Sequence, residues 1–466
     1  MIKFGTGGWR AEIGDEFQKS NIQLVAQALA SRINDLGQND RPVIIGRDRR
    51  FLSEEAALWM ADVLSANGIK VWIMHRSVPT PLVMHTVMKR QLFYGVEITA
   101  SHNPSNYNGI KIIVEEGRDA PVEVTEDLER RCAETSEILH CDVNKAFETG
   151  DIIYVENPFN AFLDDILAQL DIDAIRKRGP RILFDSMHGS STYPFNVIFY
   201  TTRCTVDQIN ANKDAFFGGS MPAPTKGTLQ SLTDQVVKGG YDLGMGIDGD
   251  GDRLGVVDAS GKYISANDIL VLLYYYLHEY KGWKGPVVRN YATTHLLDRV
   301  AKGLGEECYE VPIGFKYISA KIDEVDAVLG GESSGGLTVR GHIHGKDSIY
   351  ASALFVEMIS KTGKTPDALI TEIKDQYGHS EFVEFNAPLK PGQKEQLKDL
   401  DALPTFCKEP VRVNRTDGIK LYFDDDSFVI CRASGTEPIL RIFAEAPTEE
   451  QAKSYIQAWV DFLETF

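Results

Sequence analysis

Apolar residues recur at helical spacing from Ile22 to Leu36 and again from Glu54 to Ala66, and short β-branched runs accompany them, PVIIG at 42–46 and IKVWIM at 69–74. Brief apolar runs bounded by Gly or Pro predict strands buried on both faces, and their alternation with helices predicts βαβ units in a mostly parallel sheet. The rhythm returns in RILFD (181–185), Thr228–Lys238 and YDLGMGID (241–248), and a third time in PVVRN (286–290), Thr294–Gly303, ECYEVP (307–312) and AVLGG (327–331). Three α/β units in series are expected, although no clean sequence repeat accompanies them. After a helix-like stretch at Gln393–Leu400 the pattern changes: GIKLYF (418–423), SFVICR (427–432) and ILRIFAEA (439–446) leave no room for crossover helices, and a final helix begins at Glu449. Strands in quick succession predict an antiparallel sheet in a separate α+β unit. The expected domains are 1–155, 156–256, 257–370 and 371–466.

Length agrees with that division, since 466 residues exceed what one core organises,. Hydrophobic residues at 43% and charged residues at 25% are ordinary globular usage and exclude disordered, collagenous and coiled-coil classes,. The formal net charge of −18 argues against nonspecific binding to nucleic acid or anionic membranes, both of which need a basic face,. Cysteines 132, 141, 204, 308, 407 and 431 form no CxxC pair, which predicts reduced thiols in a cytoplasmic protein,. The start, MIKFGTGGWR, lacks the apolar core of a signal peptide, and the longest apolar run, Ile269–Leu277, is too short to span a bilayer and reads as a buried helix,.

Four segments carry chemistry. In GIDGDGDRLGVVD (246–258), Asp248, Asp250 and Asp252 alternate with glycines directly after a predicted strand. Three carboxylates this close repel unless a cation lies between them. An EF-hand would need Gly and Glu where Arg253 and Ala259 stand, so Mg²⁺, with few protein ligands, fits better than Ca²⁺,. The GxGxxG match of Gly244, Gly246 and Gly249 is discarded because a strand, not a helix, follows it,. In EITASHNPSNYNGIKI (97–112), Ser101 is exposed by a turn-rich loop at a strand end, as a nucleophile or simply as a turn residue, and Lys111 is a proton shuttle if its pKa is depressed, or a solvated charge,. RASGTEPILR (432–441) brackets Ser434, Gly435 and Thr436 with Arg432 and Arg441, which suits a phosphate and equally suits an ordinary hairpin,. GGESSGGLTVRGHIHGKDS (330–348) places Glu332 and Ser334 in a Gly-rich loop able to bond vicinal sugar hydroxyls, with His342, His344 and Lys346 nearby, or to bind nothing.

In this order, from FGTGGWR at residue 4 to FAEA at residue 446, the segments resemble the α-D-phosphohexomutase family of phosphoglucomutases and phosphomannomutases. The resemblance implies three related α/β domains and a C-terminal α+β domain around a central cleft. It implies an isomerase interconverting hexose 1-phosphate and hexose 6-phosphate, most simply glucose phosphates and also mannose phosphates, through a phosphoserine and a glucose 1,6-bisphosphate intermediate that also serves as activator. Phosphoglucosamine mutase and Mg²⁺-dependent sugar phosphatase are the alternatives. By resemblance Ser101 is the phosphoserine and, with Asp248, Asp250 and Asp252, holds Mg²⁺. Arg253 stands beside them, Arg10 supports the serine loop, Lys111 is a general acid/base candidate, and Lys346, in a stretch similar to the HIxEKDG of phosphoglucomutases, is a second functional lysine. Glu332 and Ser334 read the sugar, while Arg432, Ser434, Gly435, Thr436 and Arg441 grip the phosphate that is not reacting. The chain departs from relatives at Gly336, where many carry His, at Ser333 in the sugar loop, and at Ile439, where many carry Lys. Small sugar phosphates are the expected partners, and the expected enzyme is a cytoplasmic monomer or homodimer.

Overall fold

The run VIIGR is buried at every position because it forms the middle strand, Val43–Arg47, of a seven-stranded sheet. A computed structural model describes residues 2–5, 7–155, 158–390, 392–398, 400, 402–434 and 439–465. The described chain falls into two units, Met1–Ile269 with Ser334–Asp367 and Leu270–Ser333 with Ala368–Phe466.

In the first unit, Val43–Arg47 lies between Val71–Met74 and Tyr94–Ile98, parallel to both, and Val71–Met74 runs parallel to Ile152–Val155. The other end turns antiparallel: Tyr94–Ile98 pairs with Tyr107–Val114, which pairs with Trp9–Glu12. The helix Lys19–Asp35 buries Ile22, Val25, Ala26, Leu29 and Ile33 in one cluster with Ala56, Met60, Val63 and Leu64 of the helix Ser53–Ala66. A second, five-stranded sheet has Leu243–Ile247 parallel to Arg181–Asp185 and antiparallel to Leu254–Asp258. Ser101 and Asp248 thus both follow the carboxyl ends of central strands, where open α/β sheets carry their sites,.

The second unit contains Val287–Asn290 between Cys308–Val311 and Leu329–Gly331, all parallel. It also contains a five-stranded, wholly antiparallel sheet in the order Glu381–Pro388, Ile439–Ala446, Phe428–Ala433, Ile419–Tyr422, Arg412–Asn414. Leu421, Val429, Cys431, Leu440, Ile442 and Ala444 pack beneath Tyr455, Ile456 and Trp459 of the helix Glu449–Leu463, whose start is capped by the Thr448 hydroxyl accepting from Gln451 N at 3.2 Å. Mixed sheets with helices followed by an antiparallel α+β region are the fold class expected. The strand Glu381–Pro388 was not anticipated, because its pattern is largely exposed and only its backbone pairing with Ile439–Ala446 defines it. The apolar run 269–277 lies in the helix Ala266–Glu279, and among the described residues no helix is long and apolar enough to cross a membrane.

Candidate active site

Ser101 has φ 52°, a left-handed conformation that costs a non-glycine residue roughly 1–2 kcal/mol and persists only where neighbours impose it,. Arg50 is the principal neighbour. Its Nη2 donates to the Ser101 and Asn103 carbonyls, both at 2.7 Å, and its Nη1 to those of Pro104 and Tyr107 at 2.8 and 3.0 Å. Asp48 orients that guanidinium through Nε at 3.1 Å and also accepts from Thr99 Oγ1 at 2.7 Å, while Thr99 Oγ1 accepts from Ser101 N at 2.8 Å. Arg10 adds a bond from Nη1 to Asn103 Oδ1 at 2.7 Å. Neither Arg50 nor Asp48 was anticipated. The signal was present in GRDRR immediately after the strand at 42–46, but a role exercised on backbone carbonyls fifty residues away leaves no local motif.

The loop reaches the aspartates directly: Ser101 Oγ donates to Asp248 Oδ2 at 3.1 Å, and a Cβ on Gly249 would stand 2.8 Å from the Ser101 carbonyl oxygen, so glycine permits this approach. Asp248 Oδ1 accepts from the backbone of Asp252 at 2.9 Å and of Arg253 at 3.0 Å, which curls the acidic loop on itself. Asp250 Oδ2 accepts from Thr80 Oγ1 at 2.7 Å and Lys111 Nζ at 2.6 Å, and Asp252 Oδ2 from Lys111 Nζ and Lys346 Nζ, both at 2.9 Å. Arg253 Nε stands 3.7 Å from Asp252 Oδ1. Ser101, Lys111, Asp248, Asp250 and Asp252 are all buried.

Whether this donor set fits a divalent cation is testable on its pairing. Asp248, Asp250 and Asp252 each offer an oxygen within 4.8 Å of the others, and Asp250 Oδ1 and Asp252 Oδ1 are buried with no hydrogen-bond partner among the described residues. Buried unpaired carboxylate oxygens cost several kcal/mol each in apolar surroundings, and hard oxygen donors suit Mg²⁺. The residues fit the ion.

Electrostatics separates the members. Burial, then Asp250 and Asp252, hold the Asp248 carboxyl well above the usual range. Burial opposes ionising Asp252 as well, but Lys111 and Lys346 outweigh it and hold that carboxyl well below the usual range. Lys111 does not have the depressed pKa that a proton shuttle would need: burial acts to lower it, yet Asp250 and Asp252 hold it above the ordinary lysine value. His102 Nδ1 lies 3.3 Å from Ser101 Oγ, and burial with Arg253 and Arg10 keeps its imidazole neutral. Glu97, opposite Lys111 in the strand register, is fully buried with neither carboxylate oxygen hydrogen-bonded among the described residues, and burial, then Asp48, push its carboxyl well above the usual range.

In the second unit, Glu332 Oε1 accepts from Asn290 Nδ2 at 3.0 Å and Gly314 N at 3.3 Å. Arg432 and Arg441 are directly opposed on neighbouring antiparallel strands, so their side chains share a face. Like charges so placed repel, a repulsion that Asp417, bonded to Arg432 Nε at 3.2 Å, offsets and that a bound anion would also relieve,. Ser434 N donates to the Ile439 carbonyl at 2.8 Å, while Gly435 and Thr436 lie outside the described residues. Ser334 is exposed and belongs to the first unit. His342 is structural, bonded to Asp347 at 2.7 Å, and Asp347 caps the helix Ser348–Thr362.

Models of the phosphoglucomutase/phosphomannomutase family match the chain in four pieces: α/β/α domain I at 1–138, domain II at 160–261, domain III at 265–377, and the C-terminal domain at 384–461. A Methanopyrus kandleri protein carrying the provisional name phosphoglucosamine mutase is 30% identical over 99% of this chain and 97% of its own. The chain belongs to the phosphoglucomutase/phosphomannomutase family. Family members include a Thermococcus kodakarensis phosphoglucomutase/phosphomannomutase, 29% identical over 99% of this chain and 98% of its own. A Thermus thermophilus crystal structure, provisionally described as a phosphomannomutase, superimposes with a TM-score of 0.87 at 27% identity, covering 99% of both chains. The chain is thus a phosphohexomutase-family isomerase, and these relatives lend nothing to the sugar phosphatase alternative.

Within this family member, the departure at Gly336 has a steric counterpart. A Cβ there would stand 2.1 Å from Lys346 Cδ, so the Lys346 side chain occupies the space that any larger residue at 336 needs.

Proposed function

We propose that this protein interconverts hexose 1-phosphate and hexose 6-phosphate, glucose phosphates first and mannose phosphates second, through phospho-Ser101 and a hexose 1,6-bisphosphate. The observation that carries the reading is Ser101 itself, buried in a strained loop, 3.1 Å from one of three crowded aspartates, the other two of which each keep an oxygen with no hydrogen-bond partner among the described residues. Phosphoserine, metal, sugar and phosphate loops fall to four successive domains near 1–155, 156–256, 257–370 and 371–466.

In the first unit Ser101 carries the phosphoryl group and Arg50 holds its loop. Asp248, Asp250, Asp252 and Ser101 would hold Mg²⁺, which when bound would neutralise charge on the transferring group. Arg253 and Arg10 supply fixed positive charge beside the transferring oxygens. Lys111, kept protonated by two carboxylates, stabilises negative charge rather than removing protons. Lys346, in the space left by Gly336, takes the proton of the attacking sugar hydroxyl as a neutral amine, and the ammonium so formed is held by Asp252 Oδ2 at 2.9 Å. In the second unit Glu332 bonds sugar hydroxyls and the Arg432–Arg441 pair, with Ser434, Gly435 and Thr436, grips the phosphate that does not react; Ser334 is a further group for sugar hydroxyls. The hydroxyl attacks phospho-Ser101, giving a bisphosphate and free Ser101. The bisphosphate rebinds reversed and its other phosphoryl group returns to Ser101, releasing the isomer. Burial of Ser101 limits hydrolysis of the phosphoserine,. The enzyme works in the cytoplasm on free sugar phosphates.

A panel of glucose, mannose, glucosamine and N-acetylglucosamine phosphates, assayed with Mg²⁺ and a trace of glucose 1,6-bisphosphate, tests this reading. Glucose 1-phosphate is expected to turn over fastest, with Lys346→Met lowering kcat by about 100-fold. Turnover confined to glucosamine phosphates would replace the substrate with that of the Methanopyrus kandleri relative's name, and phosphate release outpacing isomerisation would overturn the mutase reading.

A further inference from the structure

Arg432 is held from behind by a residue that no sequence motif singled out. Asp417, in the turn before the strand Ile419–Tyr422, accepts from Arg432 Nε at 3.2 Å through Oδ1. The neighbouring Gly418 has φ +79°, and a Cβ there would stand 2.5 Å from Arg432 Cβ and from the Cys431 carbonyl oxygen, so the turn is pressed onto the strand that carries the arginine. A bond to Nε sets the plane of a guanidinium without using either Nη nitrogen, and the Nη edge is the one that clasps a phosphate most directly.

The other carboxylate oxygen of Asp417 faces the opposite way chemically. Oδ2 accepts from the backbone N–H of Ile313 at 3.0 Å. The next N–H along, that of Gly314, donates to Glu332 Oε1 at 3.3 Å, and Asn290 Nδ2 donates to the same oxygen at 3.0 Å. One peptide therefore separates the anchor of Arg432 from the anchor of Glu332, and every member of this chain of bonds lies in the second unit.

We infer that Asp417 is a positioning residue that couples the phosphate-gripping arginine to the sugar-reading carboxylate, so that the phosphate and the hydroxyls of one ligand are recognised together. This rests on the roles assigned above to Arg432 and Glu332. A carboxylate suits the post because it can accept from both sides at once. Asparagine has one acceptor oxygen and would set an N–H against one of the two donors. Because Asp417 acts through another side chain, its loss is expected in substrate affinity and not in the chemical step.

Steady-state kinetics on the full chain with Asp417→Ala, Asp417→Asn, Arg432→Ala and the double variant Asp417→Ala/Arg432→Ala tests the coupling, with thermal melting recorded for each. Asp417→Ala is expected to raise KM for the hexose 1-phosphate by about 10-fold with kcat changed by less than about 3-fold, and Asp417→Asn to fall between it and the parent. In the Arg432→Ala background the Asp417→Ala change is expected to add little, since the group it positions is gone. Additive effects of the two changes, or an unchanged KM in Asp417→Ala while Arg432→Ala is impaired, would overturn the positioning role alone. A normal KM in Arg432→Ala would overturn the phosphate-grip reading, and the inference with it. Should Asp417→Ala melt early, the KM of Asp417→Asn decides by the same criteria.

Discussion

The two units each carry a cluster of opposite charges built from similar side chains, buried in the first and half-buried in the second, and the clusters differ in how completely they are paired. In the second unit Glu310 accepts from Arg289 Nη1 at 2.8 Å, Lys420 Nζ at 2.5 Å, Tyr422 Oη at 2.6 Å and Arg412 Nη2 at 3.3 Å, while Asp298 takes Arg289 with both oxygens at 2.5 and 2.8 Å. Burial opposes the ionised Glu310, but Arg289 and Lys420 hold its carboxyl well below the usual range. In the first unit Lys111 and Lys346 serve two aspartates, and still Asp250 Oδ1 and Asp252 Oδ1 have no hydrogen-bond partner among the described residues, Arg253 Nε standing 3.7 Å from the latter. A saturated buried network ties structure together. One with unpaired oxygens is built for a guest, because folding alone would not retain that penalty.

The contrast breaks first at Glu310. Replacing it by Ala leaves Lys420 without its carboxylate and Arg289 with Asp298 alone, and urea unfolding is expected to show a loss of about 3 kcal/mol, with turnover per folded molecule retained. Lost turnover at unchanged stability would erase the distinction between the clusters. Asp250→Asn is expected to do the reverse: turnover falls about 100-fold, equivalent to about 2.7 kcal/mol, and calorimetric Mg²⁺ binding weakens, while the melting temperature holds or rises as carboxylate repulsion is relieved. Activity equal to the parent's would make the triplet structural.

The smallest effect is a slope. Burial and then Arg289 lower Lys420 from the ordinary 10.5 to about 7, against the opposing pull of Glu310 and Asp298, with His295 Nε2 at 3.1 Å. Between those two values the unfolded chain carries a proton that the folded chain has released. Stability attributable to Lys420 therefore rises with pH from about 7 upward, by at most about 1.4 kcal/mol per pH unit,. Lys420→Met is expected to flatten the stability profile in that window, and an identical profile in the variant would show that Lys420 stays charged throughout.

What could be read from the sequence follows from how locally each feature is encoded. Strands such as Val43–Arg47 and Leu243–Ile247 are buried at every position, so their apolar runs announce them, whereas the exposed strand Glu381–Pro388 is defined by backbone pairing and is silent in composition. Asp248, Asp250 and Asp252 lie within five residues, and their repulsion is visible without a fold. Arg50, Asp48 and Asp417 act on partners far along the chain and could be found only once those partners were placed. The direction of the Lys111 shift was also out of reach, since burial and two carboxylates oppose each other and only their distances decide which prevails.

Ser101 offers the most direct measurement. Intact-mass analysis of the protein, before and after incubation with glucose 1,6-bisphosphate and Mg²⁺, is expected to show a species bearing one phosphoryl group that increases on incubation, maps to Ser101, and disappears in Ser101→Ala together with mutase activity. Phosphorylation that persists in Ser101→Ala, or full turnover by that variant, would contradict the phosphoserine mechanism.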